Sequence, residues 1–243
     1  MEWRVVLAAV LAAGIVGAQE PRATLMRGMG AAKILERAYR YLEEQKAFSL
    51  EAVTVNEDIY RQRMVTEVRH RIRLDLRRPG EMRVRIDGDS RHRDYLLREG
   101  TFLVWDRDDN LYGELKSPKT VDGTLDFLYD AYGIATPLAN LLYSDLHRRL
   151  NPKARGYYFG IRELEGVRCH YLGFENAVKE LQVWIQAEGE PLIRRFVIID
   201  KSTRFRLHSA TTIRWLSVGG VTGDPFAFSL PGEARKIPIE PAK

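Results

Sequence analysis

The side chains able to do chemistry are few and widely spaced. The chain holds five histidines, at positions 70, 92, 147, 170 and 208, and one cysteine, Cys169. A bound transition metal needs several such ligands converging, and the sequence has no His-x-His, no His-Glu-x-x-His and no cysteine pair. His92-Arg93-Asp94 is the nearest approach to a ligand pair and lacks a third partner, so no metal is expected. Cys169 lies in Val167-Arg168-Cys169-His170-Tyr171, where strand alternation turns His170 to the opposite face and prevents a Cys–His nucleophile pair. It reads instead as a buried small apolar residue. Asp106, Asp108 and Asp109 could do glycosidase work as paired carboxylates, but beside Arg107 and Asn110 they read as a hairpin turn. There is no Gly-x-Ser-x-Gly and no phosphate loop, and Gly28-Met29-Gly30 stands ahead of a helix rather than after a strand. No catalytic residue and no cofactor is expected, and the chain reads as a non-enzyme.

Binding residues are more plentiful. Trp105, Tyr112, Leu128, Tyr132, Leu138, Leu141, Leu142, Tyr158, Trp184 and Trp215 are candidates to line an apolar pocket beneath a helical lid; simple core filling by the same residues is the alternative. Between positions 61 and 98 arginines recur at strand spacing. Arg69, Arg71, Arg73, Arg83 and Arg85 are candidates for a docking face toward an anionic partner, such as a lipid head group or an acidic protein. Glu67, Asp75, Glu81 and Asp87 interleave with them, as on an ordinary solvated strand face. A nucleic-acid groove would use similar residues, and export argues against it.

Export is read from the first eighteen residues. Arg4 precedes an apolar run over 5–16, and Val16-Gly17-Ala18 before Gln19 has the small residues of a cleavage site. The run is well short of the roughly 20 residues that span a bilayer, so 1–18 reads as a cleaved signal peptide, and nothing later is integral to a membrane. Lipoprotein processing needs a cysteine at the cleavage point, where none stands. A lone cysteine also excludes an intramolecular disulfide. The 243 residues, 45% hydrophobic and 29% charged with a formal net charge of +5, are ordinary globular usage and enough for a sizeable core. One domain is expected over 19–230, followed by a proline-rich tail over 231–243.

The elements that must position these residues follow from periodicity. Ala31, Ile34, Leu35, Ala38 and Leu42 predict an amphipathic helix over roughly 28–46. From Met64 to Arg77 the period changes to two, and alternation puts the charges on one face of a long strand. Further short runs over 47–116 and 157–217, separated by turn residues, give about eleven antiparallel strands. Between them, Leu125, Leu128, Tyr129 and Tyr132 with Gly133 as a stop predict one helix. Thr136-Pro137, Leu138, Leu141, Leu142 and Leu146 predict a second, ending at Asn151-Pro152. Gly133, Thr136-Pro137 and Asn151-Pro152-Lys153 are the candidate hinges of this pair. Strands in that number curl, so the fold class is mostly β (α+β): a curved antiparallel sheet or incomplete β-barrel with an N-terminal helix and a central helix pair as lid.

This order of elements resembles the LolA/LolB lipoprotein-carrier fold. A closer similarity is to a family of predicted periplasmic proteins of unknown function thought to share it. The residues carrying that similarity are Tyr39 to Phe48, Arg78-Pro79 with Arg83-Val84 and Asp87-Gly88, the run 132–143 (Tyr-Gly-Ile-Ala-Thr-Pro-Leu-Ala-Asn-Leu-Leu-Tyr), Val167-Arg168-Cys169-His170, Leu181 to Ile185, and Phe226-Ala-Phe-Ser-Leu-Pro231. The resemblance implies a LolA-like fold and a periplasmic location. The expected function is non-enzymatic binding or carriage of an apolar ligand, whether an acyl chain, a lipid or a lipidated protein. The alternative is an envelope interaction module with a packed core and an arginine-rich docking face.

Overall fold

The computed structural model describes residues 22–242 except 62, 90, 136, 137, 150–154 and 203, with side chains from Gly30 onward. The expected signal peptide, and the hinges at Thr136-Pro137 and Asn151-Pro152-Lys153, lie outside the described residues. The elements in chain order are α1 (Arg22–Glu44), β1 (Ala47–Tyr60), β2 (Met64–Arg77), β3 (Glu81–Gly88), β4 (His92–Arg98), β5 (Thr101–Asp106) and β6 (Leu111–Lys116). After them come α2 (Val121–Tyr132), one 3-10 turn (Ala139–Leu141), α3 (Leu146–Arg149), β7 (Arg155–Leu164), β8 (Val167–Glu175), β9 (Lys179–Gln186), β10 (Ile193–Asp200), β11 (His208–Val218) and β12 (Arg235–Lys236).

All twelve strands share one sheet, in the order β12-β6-β5-β4-β3-β2-β1-β11-β10-β9-β8-β7. The two edges do not pair with each other, so the sheet curves without closing; a complete barrel is not formed. It is two antiparallel meanders, β1–β6 and β7–β11, joined along a β1–β11 seam. The strand expected from Met64 to Arg77 has those bounds, because its alternation lets one face be dry and the other wet. Leu50, Leu74, Val84 and Leu97 project from neighbouring strands into one buried cluster, while Glu51, Arg73, Arg85 and Asp94 project from the other face. We call these the core face and the outer face.

Two helices cover the core face. Helix α1 inserts Ala31, Leu35, Ala38 and Leu42, all buried, and packs over β7, β8 and β9. It begins at Arg22, earlier than its periodicity indicated, so Gly28-Met29-Gly30 lies inside the helix and not ahead of it. Helix α2 starts at Thr120, whose side chain accepts from the Gly123 amide, and stops at Gly133 in the left-handed region at φ 62°. That glycine and the following Ile134 amide bond back to Tyr129 and Leu128, closing the helix where the sequence placed its stop.

The second central helix is not continuous. Its leucine spacing is helical, yet the described residues form only the 3-10 turn and the four-residue α3, with Leu138 in the left-handed region at φ 58°. Competing partners explain the break. Arg78 takes the carbonyls of Leu142 and Tyr143, and Asp122 takes the amide and hydroxyl of Ser144. Backbone groups engaged in this way are lost to an i→i+4 ladder.

The C-terminal residues wrap the sheet. Phe226 is buried on the outer face, with the Arg77 guanidinium 4.7 Å from its ring centroid, and Phe228 packs on Trp105 at 5.8 Å. The chain then turns the edge as β12, parallel to β6, and continues with the Ile237 amide bonding to the Tyr112 carbonyl. A Cβ on Gly113 would stand 2.5 Å from the Ile239 side chain, so only glycine admits this strap so closely. The strap ends with the Ala242 amide on the carbonyl of Ala131, at the C-terminal end of α2.

Candidate functional site

The broken segment over 133–149 is where the core face meets the outside. Leu138, Leu141, Leu142 and Leu146 are all buried and belong to one cluster with Leu128 of α2, Leu35 of α1 and Leu74 and Leu76 of β2. Burying each leucine contributes about 1.5–3 kcal/mol, so they fasten the segment apolar side down. They act as a plug with little secondary structure of its own.

Polar clamps hold the plug from three sides. Arg78, directly after β2 and only 13% exposed, donates Nη1 to Leu142 O at 2.6 Å, Nη2 to Tyr143 O at 3.2 Å and Nε to Gln45 O at 3.2 Å. Asp122 lies 3.8 Å from the same guanidinium. Burial lowers the pKa of Arg78, while Asp122 and Glu43 act to raise it. A planar fork is the side chain that can bridge several carbonyls at once. On the second side, Glu43 of α1 accepts from the His147 amide, and its carboxylate lies 2.7 Å from His147 Nδ1. On the third, Asp126 of α2 accepts from the Tyr143 hydroxyl at 2.9 Å and pairs with Arg149, whose guanidinium lies 3.6 Å from the centre of the Tyr143 ring. Burial first, and then Asp126, raise the Tyr143 phenol well above its ordinary pKa.

The candidate lining residues divide between the faces. Leu128, Leu138, Leu141 and Leu142 meet in the core cluster, and Tyr158 and Trp215 pack against it. Trp215 lies edge-on to Phe48 at 5.4 Å and donates to the Ile193 carbonyl at 2.8 Å. Tyr132 sits beside α2's Phe127 at 5.4 Å, outside the cluster. Trp105 and its register partner Tyr112 are on the outer face, under Phe228 in the case of Trp105. Trp184 is there too, in a cross-strand row with Tyr171 at 4.3 Å, Phe159 beyond it and Arg195 on its other side. Short strand runs gave no sign of which face each aromatic takes; register decided it.

The leucines, Phe48 and Phe102 of the core face are shut off from solvent. A concavity of about 610 Å³ lies elsewhere, an open groove between α1 and the β9–β10 hairpin lined by charged residues such as Lys33, Glu36 and Glu190. A small recess of about 30 Å³ adjoins it beside His170.

The arginine face supplies its own counter-charges. Asp94, buried, lies 3.2 Å from Arg83, 3.4 Å from Arg85 and 3.2 Å from Arg107. Arg73 lies 3.2 Å from Asp75 and 3.5 Å from Glu51. Arg83 also donates to the carbonyls of Pro225 and Ala227, under the strap. Arg69 and Arg71 are exposed.

The remaining chemistry-bearing residues take structural positions. Asp106 accepts from the amides of Asp108 and Asp109, as the turn reading requires. His92 Nδ1 lies 2.8 Å from Asp108, while Asp94 is taken up by arginines. Cys169 is buried, its thiol pKa raised by that burial, and His170 projects to the other face toward Tyr158. Among the described residues no group of three His, Cys, Asp or Glu side chains could hold a metal.

The clamping residues to which sequence reasoning gave no role are Arg78, Glu43, Asp122, Asp126 and His147. In the sequence Arg78 stands directly before Pro79-Gly80, a turn signal, and His147 opens the basic run His147-Arg148-Arg149. Nothing in their spacing indicates that all five converge on one segment.

Solved structures similar to the chain include an uncharacterized conserved protein from Thermus thermophilus, at 13% identity and a TM-score of 0.48, covering 86% of this chain and 99% of that one. The lipoprotein LppX of Mycobacterium tuberculosis is similar at 11% identity and a TM-score of 0.49, covering 77% and 95%. A LolA superfamily protein from Nitrosomonas europaea matches at 11% identity and a TM-score of 0.35, covering 76% and 91%. No curated protein matches. Among the described residues no helix is long and apolar enough to cross a membrane. Residues 31–240, which run from the first buried turn of α1 into the strap, match the family described as "Predicted periplasmic protein (DUF2092)", and the chain belongs to that family.

Proposed function

We propose that the protein is a non-enzymatic periplasmic binding protein that takes an apolar ligand, the acyl chain of a lipid or of a lipidated protein, on the core face beneath the 133–149 segment. One observation carries this: four buried leucines are delivered by a stretch with almost no backbone ladder of its own, clamped by side chains from β2, α1 and α2. A stretch that contributes nothing to the sheet can leave without unzipping a strand. An acyl chain replacing the leucines exchanges one set of apolar contacts for another, and each further methylene it buries adds about 0.8 kcal/mol. The clamps, mostly charge-assisted, set the threshold for opening.

A packed-core interaction module is the second reading, and the large buried cluster on the core face speaks for it. Its docking surface is weaker support, because Arg73, Arg83 and Arg85 already face carboxylates and Arg83 lies under the strap.

Native mass spectrometry of the protein purified from a bacterial periplasm, before and after incubation with fatty acids and phospholipids, separates the two. A co-purifying or acquired lipid mass is expected, and Leu141→Ala, which widens the space under the plug, is expected to bind a fluorescent fatty acid at least as tightly as the parent. A clean apo mass throughout, with no fatty-acid binding by either folded protein, overturns the carrier proposal.

A further inference from the structure

The β1–β2 hairpin outruns the sheet. Strand β11 accompanies β1 only as far as Asn56, and β3 accompanies β2 only as far as His70, while β1 and β2 go on pairing with each other to Tyr60 and Met64. At about 3.3 Å per residue, the end of β1 stands roughly 13 Å beyond its last pairing with β11.

A projecting hairpin in water normally ends in polar residues. This one does not. Tyr60 is 51% exposed, Met64 60% and Val65 42%, so three of the large exposed apolar side chains lie within one turn of the chain. Register pairs Tyr60 with Met64 and Ile59 with Val65, on opposite faces, so the tip is apolar on both sides. The connecting turn carries Arg61, whose guanidinium lies 5.1 Å from the Tyr60 ring centroid, and Arg63, exposed. Below the tip the character reverses: Glu57 pairs with Glu67 and Asp58 with Thr66.

We propose that this tip is a membrane-docking finger that settles in the headgroup region of a phospholipid bilayer, independently of whether the core face takes an acyl chain. An environment apolar in all directions suits a tip apolar on both faces, whereas a partner strand adding to a bare edge would engage the backbone and need neither face. Tyrosine favours the water–lipid boundary, and two arginines at the turn meet lipid phosphates. Depth is limited twice over. The acidic collar of Glu57, Asp58 and Glu67 disfavours further entry, and the outward backbone groups on either side of the tip, which no neighbouring strand satisfies, cannot enter hydrocarbon. The finger therefore docks and does not span.

The test uses the protein as purified from a bacterial periplasm and vesicles of phosphatidylethanolamine with phosphatidylglycerol. Co-sedimentation of the parent is expected. A variant with Tyr60→Ser, Met64→Ser and Val65→Ser should lose at least tenfold in affinity with an unchanged melting temperature, since the altered side chains are exposed. Arg61→Glu with Arg63→Glu should weaken binding as the phosphatidylglycerol fraction rises. An environment-sensitive dye on Met64→Cys, where Cys169 is buried and does not compete, should shift to the blue on adding vesicles. Absence of vesicle binding, equal binding by the serine variant, a dye that does not respond, or self-association through the tip in place of vesicle binding would each overturn the proposal.

Discussion

His70 and His170 both project to the core face and titrate below the ordinary imidazole range. For each, burial is the main cause; Asp89 opposes the shift at His70 and Arg37 reinforces it at His170. The folded protein therefore favours the neutral rings, while the unfolded chain takes up protons near pH 6.5. Between the lowered folded pKa and that value the unfolded state binds more protons, so stability is complete above about pH 6.5 and is lost as pH falls below it. Urea midpoints should drop between pH 7.5 and pH 5.5, and His70→Gln with His170→Gln should flatten the slope; a parent midpoint that does not fall over this interval would exclude the effect. At this scale the sequence was legible where strand alternation alone decides, as at Cys169 and His170. Arg78 was not, because its role depends on carbonyls more than sixty positions away.

An element forms when its local pattern and its surroundings agree, and the central region shows both cases. Helix α2 has a cap, a stop and an apolar stripe, and it forms where these indicate. The following leucines have the stripe too, but Arg78 and Asp122 draw away the backbone groups that a helix would use. Sequence periodicity sees the side chains and not these competitors. The clamp gives a direct prediction. Arg78→Lys keeps the charge but cannot serve three carbonyls from one rigid plane. It should cost about 2 kcal/mol, in the range of hydrogen bonds made by a charged donor. Hydrogen exchange over 138–149 should accelerate at least tenfold, with a smaller change in β1 and β2. Uniform acceleration, or none, would show that Arg78 supports the domain generally and does not hold the plug.

The whole molecule is two meanders, a seam and a strap. The meanders were legible, since turn residues punctuate each hairpin. The seam was not, because β1 and β11 pair across some 160 positions and neither carries a signal for the other. The strap was hidden by its prolines, which suit a chain end as well as an extended segment crossing a sheet. Its anchors, Phe226 and Phe228, alternate as a strand's would, and only the folded outer face shows what they touch. Phe226→Ala removes a fully buried ring and should cost about 3–5 kcal/mol in denaturant unfolding. A loss below about 1 kcal/mol would mean that the strap adds little beyond covering the edge.

The connection between the meanders leaves from β6, beside one edge of the sheet, and re-enters at β7, the opposite edge. The chain must therefore traverse the full width of the sheet between residues 117 and 154, and the plug is the middle of that crossing. Among its described residues no strand of the sheet occurs. Severed at the exposed Lys119, the molecule would become two polypeptides that still share the β1–β11 pairing and the β12–β6 contact, with α2 and the plug joined covalently to the sheet only through β7. In topological terms the covalent bridge between the halves is separate from the strand pairing that unites them, which is the condition a displaceable segment requires.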